Sequence, residues 1–297
     1  MNVSIIIVNY NTKDITQKCI SSIFEQTKDI AFEVILVDNH STDGSVEAFE
    51  AEKRIVFIPL AHNMGFGKAN NAGLERSSGE YVFFLNSDTC LLNNAVKEFY
   101  DFAEKHKTEK IGGIGCRLKK ADMSYCHSYA RFPSVLGELW KPIILPLSRV
   151  LGTTYQYLDK PQNSEDEFQV DYVTGADLFA KRSVTEACGA FDPDFFMYYE
   201  ESEMQYRWTK AGYKSMMISS PQIMHLEGAS YKTDKKRNVR KELQVMESLF
   251  LYVRKTHSFL AYLFFRICYF LVKLPFLLFS CISMKDRMQY LKLIALP

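Results

Sequence analysis

Residues 3–11 read VSIIIVNYN, residues 33–45 EVILVDNHSTDGS, residues 63–73 NMGFGKANNAG and residues 81–89 YVFFLNSDT. Val3 to Val8, Val34 to Val37, Ile55 to Ile58 and Tyr81 to Leu85 are short β-branched or aromatic runs, the signature of buried strands. Helix-like stretches separate them. Thr12 is placed to N-cap a helix whose Ile15, Cys19, Ile23 and Phe24 share one face, and Gly65 to Arg76 and Asn93 to Lys105 have similar length. This βαβα rhythm predicts an α/β fold, a mostly parallel sheet with helices on both faces. In such sheets ligands bind beyond the carboxyl ends of the strands. Each run here is followed by polar or glycine-rich residues: Asn9-Tyr10-Asn11, Asp38-Asn39-His40, His62-Asn63 with Gly65 and Gly67, and Asn86-Ser87-Asp88. One such cluster reads as an ordinary turn; four on one edge point to a nucleotide site.

Outward from this core the pattern loosens. From about 111 to 232 turn signals are frequent, the stretch 137 to 161 is interrupted by prolines, a strand-then-helix unit surrounds Val170 to Arg182, and Ser215 to Ser219 reads as a strand. This half is expected to shape an acceptor pocket. Composition bounds the class: 297 residues, 47% apolar, with a formal charge of +1, exclude a disordered chain and a polybasic nucleic-acid binder. Seven scattered cysteines without a CxxC pair argue against a disulfide framework or zinc site and for a reducing compartment. The N-terminus has no basic leader, so its apolar run reads as a strand and a cytoplasmic catalytic part is expected. The glycines of 63–73 do not follow the first strand and lack the dinucleotide-binding spacing, which disfavours a nicotinamide oxidoreductase.

The composition shifts near the C-terminus. Residues 232–255 hold eight Lys or Arg against three Asp or Glu, and Ser258 to Ser283 is dominated by Phe, Leu, Ile and Tyr. That is long enough to cross a bilayer, but Arg266, Lys273 and Pro275 lie inside, and a central charge costs about 2.5–3.5 kcal/mol on insertion scales. A helix lying on a membrane surface is expected, with packing on the catalytic domain as the alternative.

The four motifs resemble, in order and spacing, the nucleotide-binding half of family 2 glycosyltransferases, which have the GT-A (nucleotide-diphospho-sugar transferase) fold. Residues 172–212, YVTGADLFAKRSVTEACGAFDPDFFMYYEESEMQYRWTKAG, and 224–230, MHLEGAS, are similar to the acceptor half, particularly of rhamnosyltransferase-like members. The resemblance covers about 1–230: a nucleotide-sugar half, 1–95, and an acceptor half, 96–230, followed by a basic then apolar helical extension, 231–297. It implies that Tyr10 stacks near the base and Asp38 hydrogen-bonds a uracil or thymine ring. Asn86-Ser87-Asp88 stands in place of the DxD motif, so Asp88 binds a divalent cation, Mg2+ or Mn2+, with Asn86 a neutral replacement for the first aspartate. His225 completes the metal or phosphate site. Asn63, Lys68 and Asn70 reach the donor, and Asp177 touches sugar hydroxyls. Phe191 to Phe196 resembles an acceptor-side loop. Glu201 falls where the family's acidic motif places its catalytic base, usually an aspartate; Glu200, Glu201 and Glu203 also suit the first turn of a helix, where acidic side chains favour the dipole.

The implied activity is inverting transfer of a sugar from a nucleotide-sugar donor to a hydroxyl of a glycan or lipid-linked acceptor in bacterial surface-polysaccharide synthesis. A dTDP-rhamnose donor leads, with a UDP-hexose next. The implied setting is cytoplasmic, peripheral on the inner face of the cell membrane, with no nucleic-acid partner. The rival is an inactive sugar-binding protein of the same fold, since Asn86 and the glutamate-rich motif depart from the commoner pattern.

Overall fold

The computed structural model describes residues 1–141, 166–226, 239–279 and 283–295. The chain divides into two compact units. A sheet unit comprises Met1–Arg131, Pro161–Phe196 and Glu200–Thr233; a helical unit comprises Phe132–Lys160, Met197–Tyr199 and Asp234–Pro297. The helical unit thus takes in 132–160 and 197–199 besides the C-terminal extension expected from composition. The basic residues 232–238, the glycine turn of MHLEGAS and most of the proline-interrupted stretch lie outside the described residues.

In the sheet unit the chain runs β1 (Val3–Asn9), α1 (Lys13–Gln26), β2 (Phe32–Asp38), α2 (Ser45–Glu50), β3 (Val56–Pro59), α3 (Phe66–Arg76), β4 (Tyr81–Asn86), β5 (Thr89–Leu91), α4 (Ala95–Lys105) and β6 (Ile111–Cys116). It continues through β7 (Tyr129–Ala130), β8 (Glu167–Val170), β9 (Tyr172–Val173), β10 (Asp177–Lys181), α5 (Arg182–Cys188), α6 (Glu200–Lys210), β11 (Lys214–Ile218) and β12 (Ile223–His225). The main sheet has eight strands in the order β3-β2-β1-β4-β10-β6-β11-β8. Strands β3, β2, β1 and β4 are parallel, as the βαβ rhythm predicts. β10 enters antiparallel between β4 and β6. The fold is GT-A.

Side chains alternate faces along a strand, and the core follows that rule. Ile5, Ile7, Phe83 and Phe179 pack with Cys19 and Ile23 of α1 and Phe99 of α4 on one face. Ile6, Ile35, Phe84 and Leu178 pack with Ala69 of α3 and Met204 and Trp208 of α6 on the other. β10 earns its central place through Leu178 and Phe179, one for each face, and Phe179 stacks on Tyr81 at 5.3 Å and on Phe99 at 5.4 Å. Each such buried side chain contributes about 1.5–3 kcal/mol. Thr12 does occupy the N-cap position of α1 but makes no side-chain cap. Its hydroxyl donates to Asn9 Oδ1 at 2.8 Å, and Asp43 accepts the first helical N–H, from Lys13, at 2.9 Å.

In the helical unit, residues 135–141 are helical, and α7 (Val239–Thr256), α8 (Phe259–Phe279) and α9 (Met284–Ala295) follow. Phe250 of α7 meets Phe265 and Tyr269 of α8 edge-on at 5.8 and 5.2 Å. Arg266, an obstacle on an apolar helix by sequence, is buried here. It donates to the Tyr262 hydroxyl at 2.6 Å and to the carbonyls of Leu293 and Ile294 at 2.8 and 2.6 Å, capping the end of α9, and lies 4.9 Å over the Phe250 ring. The same unit holds Met197–Tyr199: Ser248 donates to the Met197 carbonyl at 2.7 Å, and Tyr252 packs on Tyr199 at 5.7 Å. Tyr198 and Tyr199 have φ of 73° and 65°, a left-handed backbone that bulky residues adopt only when their surroundings impose it.

Candidate active site

The parallel register aligns Asn9 with Asp38, and Val8 with Asn86, at the carboxyl edge of the sheet. There the loops are knitted by their own polar side chains. Asn9 Nδ2 donates to Asp38 Oδ2 at 2.7 Å and to Ser41 Oγ at 3.1 Å, and the Ser41 N–H donates to Asp38 Oδ1 at 2.8 Å. Asp38 is wholly buried. With both oxygens engaged it holds the β2 loop. Asn39 Nδ2 donates to Asn63 Oδ1 and to the Gly65 carbonyl, both at 3.1 Å. Asn63 therefore braces a loop. Asn70 is buried in α3, its amide donating to the Phe66 carbonyl at 3.1 Å. The glycines serve packing: Gly65 has φ 87°, and a Cβ there would sit 2.2 Å from the Phe196 carbonyl oxygen. Tyr10, by contrast, is 47% exposed, and Lys68 in the first turn of α3 and Asn86 at the end of β4 are half-buried.

A second ribbon carries the metal candidates. β5 pairs antiparallel with β12, setting Thr89 opposite His225, and this brings Asp88 Oδ1 to 3.1 Å from His225 Nε2 across 137 residues of sequence. Burial favours a neutral ring, but the bonded Asp88 carboxylate and then Cys126 outweigh it and raise His225 to about 10. The pair is therefore an imidazolium–carboxylate couple in the absence of a metal. The Asp88 carboxylate is a hard oxygen ligand that suits Mg2+ or Mn2+, and the imidazole nitrogen beside it fits the transition ion Mn2+ better than Mg2+, which prefers oxygen. Among the described residues no third His, Cys, Asp or Glu joins them, so a cation here would fill its shell from phosphate oxygens and water. Asp177 lies behind the edge, wholly buried. Its Oδ2 accepts from the Cys116 N–H at 2.7 Å and its Oδ1 has no hydrogen-bond partner. Burial, only partly offset by the Cys116 bonds and His225, pushes its carboxyl to about 8. The expected contact of Asp177 with sugar hydroxyls is thus not available at the surface.

The third group opens α6. Glu203 bonds Arg207 at 2.8 and 3.0 Å, and Arg207 reaches the carbonyls of Cys188 and Ala190 at 2.5 and 2.6 Å, so this glutamate is structural. Glu200 and Glu201 differ. Each has a buried Oε2 with no hydrogen-bond partner, a costly state unless a ligand or proton completes it. Burial raises both; the charge of Glu201 raises Glu200 further, to well above the ordinary range, whereas His127 favours the charged form of Glu201. Burial thus raises the pair as a whole, and Glu201 is the member that His127 favours in its charged form. A Cβ on Gly175 would lie 3.7 Å from the Glu201 Cβ and 3.4 Å from the Phe66 ring; the small residues of the Thr174–Ala176 loop pass this carboxylate closely. Sequence reasoning did not single out Asn9, Ser41, Cys126 or His127. The first two stood in polar clusters beside residues that were chosen; Cys126 and His127 fall in the irregular stretch after β6, with no periodic signal.

Residues 4–140 match glycosyl transferase family 2. The chain is similar to the O-antigen biosynthesis protein RfbC of Myxococcus xanthus, 24% identical over 235 residues, which are 78% of this chain and 18% of that protein. It is similar to an N-acetylglucosaminyl-diphospho-decaprenol L-rhamnosyltransferase of Mycobacterium tuberculosis, 27% identical over 205 residues, 65% of this chain and 66% of that one. The chain thus spans less than two thirds of either relative's length. Among solved structures it superposes on GalNAc-T7 with UDP, GalNAc and Mn2+ with a TM-score of 0.58 at 15% identity, over 85% of this chain and 47% of the other; that likeness is one of fold.

Proposed function

We propose, on the premise that residues 4–140 match glycosyl transferase family 2, that the chain transfers rhamnose from dTDP-rhamnose, with inversion, to a hydroxyl of a lipid-linked saccharide during bacterial surface-polysaccharide synthesis. The observation that carries the chemistry is the buried, unpartnered oxygen of Glu201 in the first turn of α6. A carboxylate raised by burial toward working pH is suited to accept a proton. Glu201 takes the acceptor hydroxyl's proton as that oxygen attacks the anomeric carbon; the bond to the donor diphosphate breaks on the opposite face, and one displacement inverts the centre. Asp88 and His225 would hold a divalent cation, which when bound supplies positive charge to the leaving diphosphate. Tyr10, Lys68 and Asn86 stand on the donor side of the edge.

The rhamnosyl preference draws on the M. tuberculosis relative, whose name also carries a diphospho-decaprenol acceptor, and the surface-polysaccharide setting draws further on the O-antigen biosynthesis relative. A UDP-hexose donor is the second reading, favoured by UDP in the GalNAc-T7 structure. We place the work on the cytoplasmic face of a membrane, reached through the helical unit. A nucleotide-sugar panel with and without Mn2+, read by nucleoside-diphosphate release on a polyprenyl-diphosphate saccharide, tests the reading. Release with dTDP-rhamnose exceeding that with any UDP-hexose is expected. Donor binding without turnover on any acceptor would favour an inactive sugar-binding protein.

A further inference from the structure

α8 is, among the described residues, the one helix long and apolar enough to cross a membrane, over Phe259–Leu278. At 1.5 Å per residue its 21 residues would reach about 30 Å, the thickness of a hydrocarbon core. Its two faces nevertheless differ. Tyr262, Phe265, Arg266 and Tyr269 are buried, whereas Leu260, Leu263, Phe264, Ile267, Leu271 and Leu278 are 45% to 76% exposed. The exposed set follows helical spacing, with 260, 263, 264, 267 and 271 on successive turns and 278 two turns further on the same stripe. Neither of the helix's cations lies on that stripe as a free charge: Arg266 is turned inward, and the Lys273 ammonium lies 5.8 and 5.4 Å over the rings of Tyr269 and Phe276.

Two further observations choose the partner and the orientation. Residues 239–295 hold nine Lys or Arg against three Asp or Glu, and Arg254, Lys255, Lys285 and Lys292 are exposed at the ends of the helices. That charge suits an anionic lipid headgroup layer. Arg266 is tied to the carbonyls of Leu293 and Ile294, so a crossing α8 would either break that cap or drag the end of α9, with Lys292 beside it, into hydrocarbon. From these observations we propose that α8 lies flat in the headgroup boundary of an anionic bilayer, its Leu260-to-Leu278 stripe inserted and its Arg266 face kept on the helical unit. An interfacial helix of this kind buries its apolar face only to the depth of the headgroup and acyl boundary.

The inference deepens the membrane part of the proposed function and is tested without donor or acceptor, so that it stands or falls apart from transfer. The purified full chain is floated with phosphatidylcholine vesicles containing roughly one third phosphatidylglycerol, and with phosphatidylcholine alone. Flotation with the anionic vesicles, weakened by high salt and fully reversed by alkaline carbonate, is expected. Leu263→Glu with Ile267→Glu should lower the bound fraction about tenfold with an unchanged melting temperature, because both side chains point outward. Lys255→Glu with Lys285→Glu should lower it about fivefold per lysine while leaving the apolar stripe intact. Retention in the membrane after carbonate would overturn the flat orientation in favour of crossing. Equal flotation of the Leu263/Ile267 variant, or a dimer of the native chain that this variant dissociates in the absence of lipid, would overturn the lipid assignment in favour of no insertion or a second copy.

Discussion

The sheet unit hides unsatisfied polarity, and the helical unit displays unsatisfied apolarity. In the first, Asp177, Glu200 and Glu201 each bury a carboxylate oxygen without a partner. In the second, the buried charge, Arg266, has its donors spent on Tyr262 and two carbonyls, while the Leu260-to-Leu278 stripe faces outward. Both states cost free energy in water, by lost hydrogen bonds in one case and exposed hydrocarbon in the other. Both are relieved by something outside the chain. The difference teaches which kind of ligand each unit awaits: a polar one at the carboxylates, an apolar one at the stripe.

The contrast breaks most visibly at Glu201. Glu201→Gln removes a buried charge and should lower kcat about 100- to 10,000-fold while donor affinity stays within about twofold and the melting temperature does not fall. If Glu200→Gln is the slower variant in the same release assay, the base lies one residue earlier. Arg266→Ala tests the opposite condition. It strips partners from two carbonyls and a hydroxyl, so denaturant unfolding should show a loss of about 2–4 kcal/mol in the helical unit, with the kcat of the surviving folded fraction unchanged. An Arg266→Ala chain as stable as the native one would show that the buried charge is as unsatisfied as the carboxylates.

Smaller effects sharpen the comparison. Asp88→Asn should weaken Mn2+-dependent donor binding roughly 10- to 100-fold in calorimetry and leave the metal-free melting temperature within about 2 °C, since the couple sits at the edge rather than in the core. Undiminished Mn2+ dependence would remove Asp88 from the metal site. Asp177 gives the gentlest signal. Its carboxyl is raised from 3.8 to about 8 in the folded chain, so the folded state binds more protons between those values and stability should fall as pH rises from about 4 to 8. Asp177→Asn should abolish this contribution and melt at least about 2 °C higher than the native chain at pH 8.5. Parallel pH profiles for the two chains would mean that Asp177 is not protonated when folded.

The nucleotide half of the fold was legible because buried parallel strands are continuous apolar runs: Val3 to Val8 became Val3–Asn9, and Tyr81 to Leu85 became Tyr81–Asn86. Local patterning could not show β10 entering antiparallel at the centre, since its five residues announce burial but not direction. The site was legible as residue types rather than as contacts. Asp88 and His225 were named separately, and only the β5–β12 pairing set them 3.1 Å apart. Asp38 shows why residue type alone does not fix a role, because a polar residue at a strand end is equally suited to meeting a ligand and to tying the loop it starts. Glu203 looked like its neighbours until Arg207, one turn on, claimed it. Arg266 read as a charge on an apolar helix because its partners lie 27 and 28 residues downstream.

The chain changes unit after Arg131, Lys160, Phe196, Tyr199 and Thr233, and its second stay in the helical unit lasts only Met197–Tyr199, directly before Glu200. Neither unit is therefore a cassette. Stopping translation after Lys255 would remove α8 and α9 but leave behind 132–160, α7 and the strained tyrosines that pack with them, exposing the Phe250 contacts instead of subtracting an anchor cleanly. A chimera that exchanges only the C-terminal helices inherits the same fault, for the incoming helices would have to pack on a foreign Met197–Tyr199 segment. Dissection of this protein has to proceed by point substitution on the outward stripe, and any transplant of its helical unit has to carry all three of its segments together.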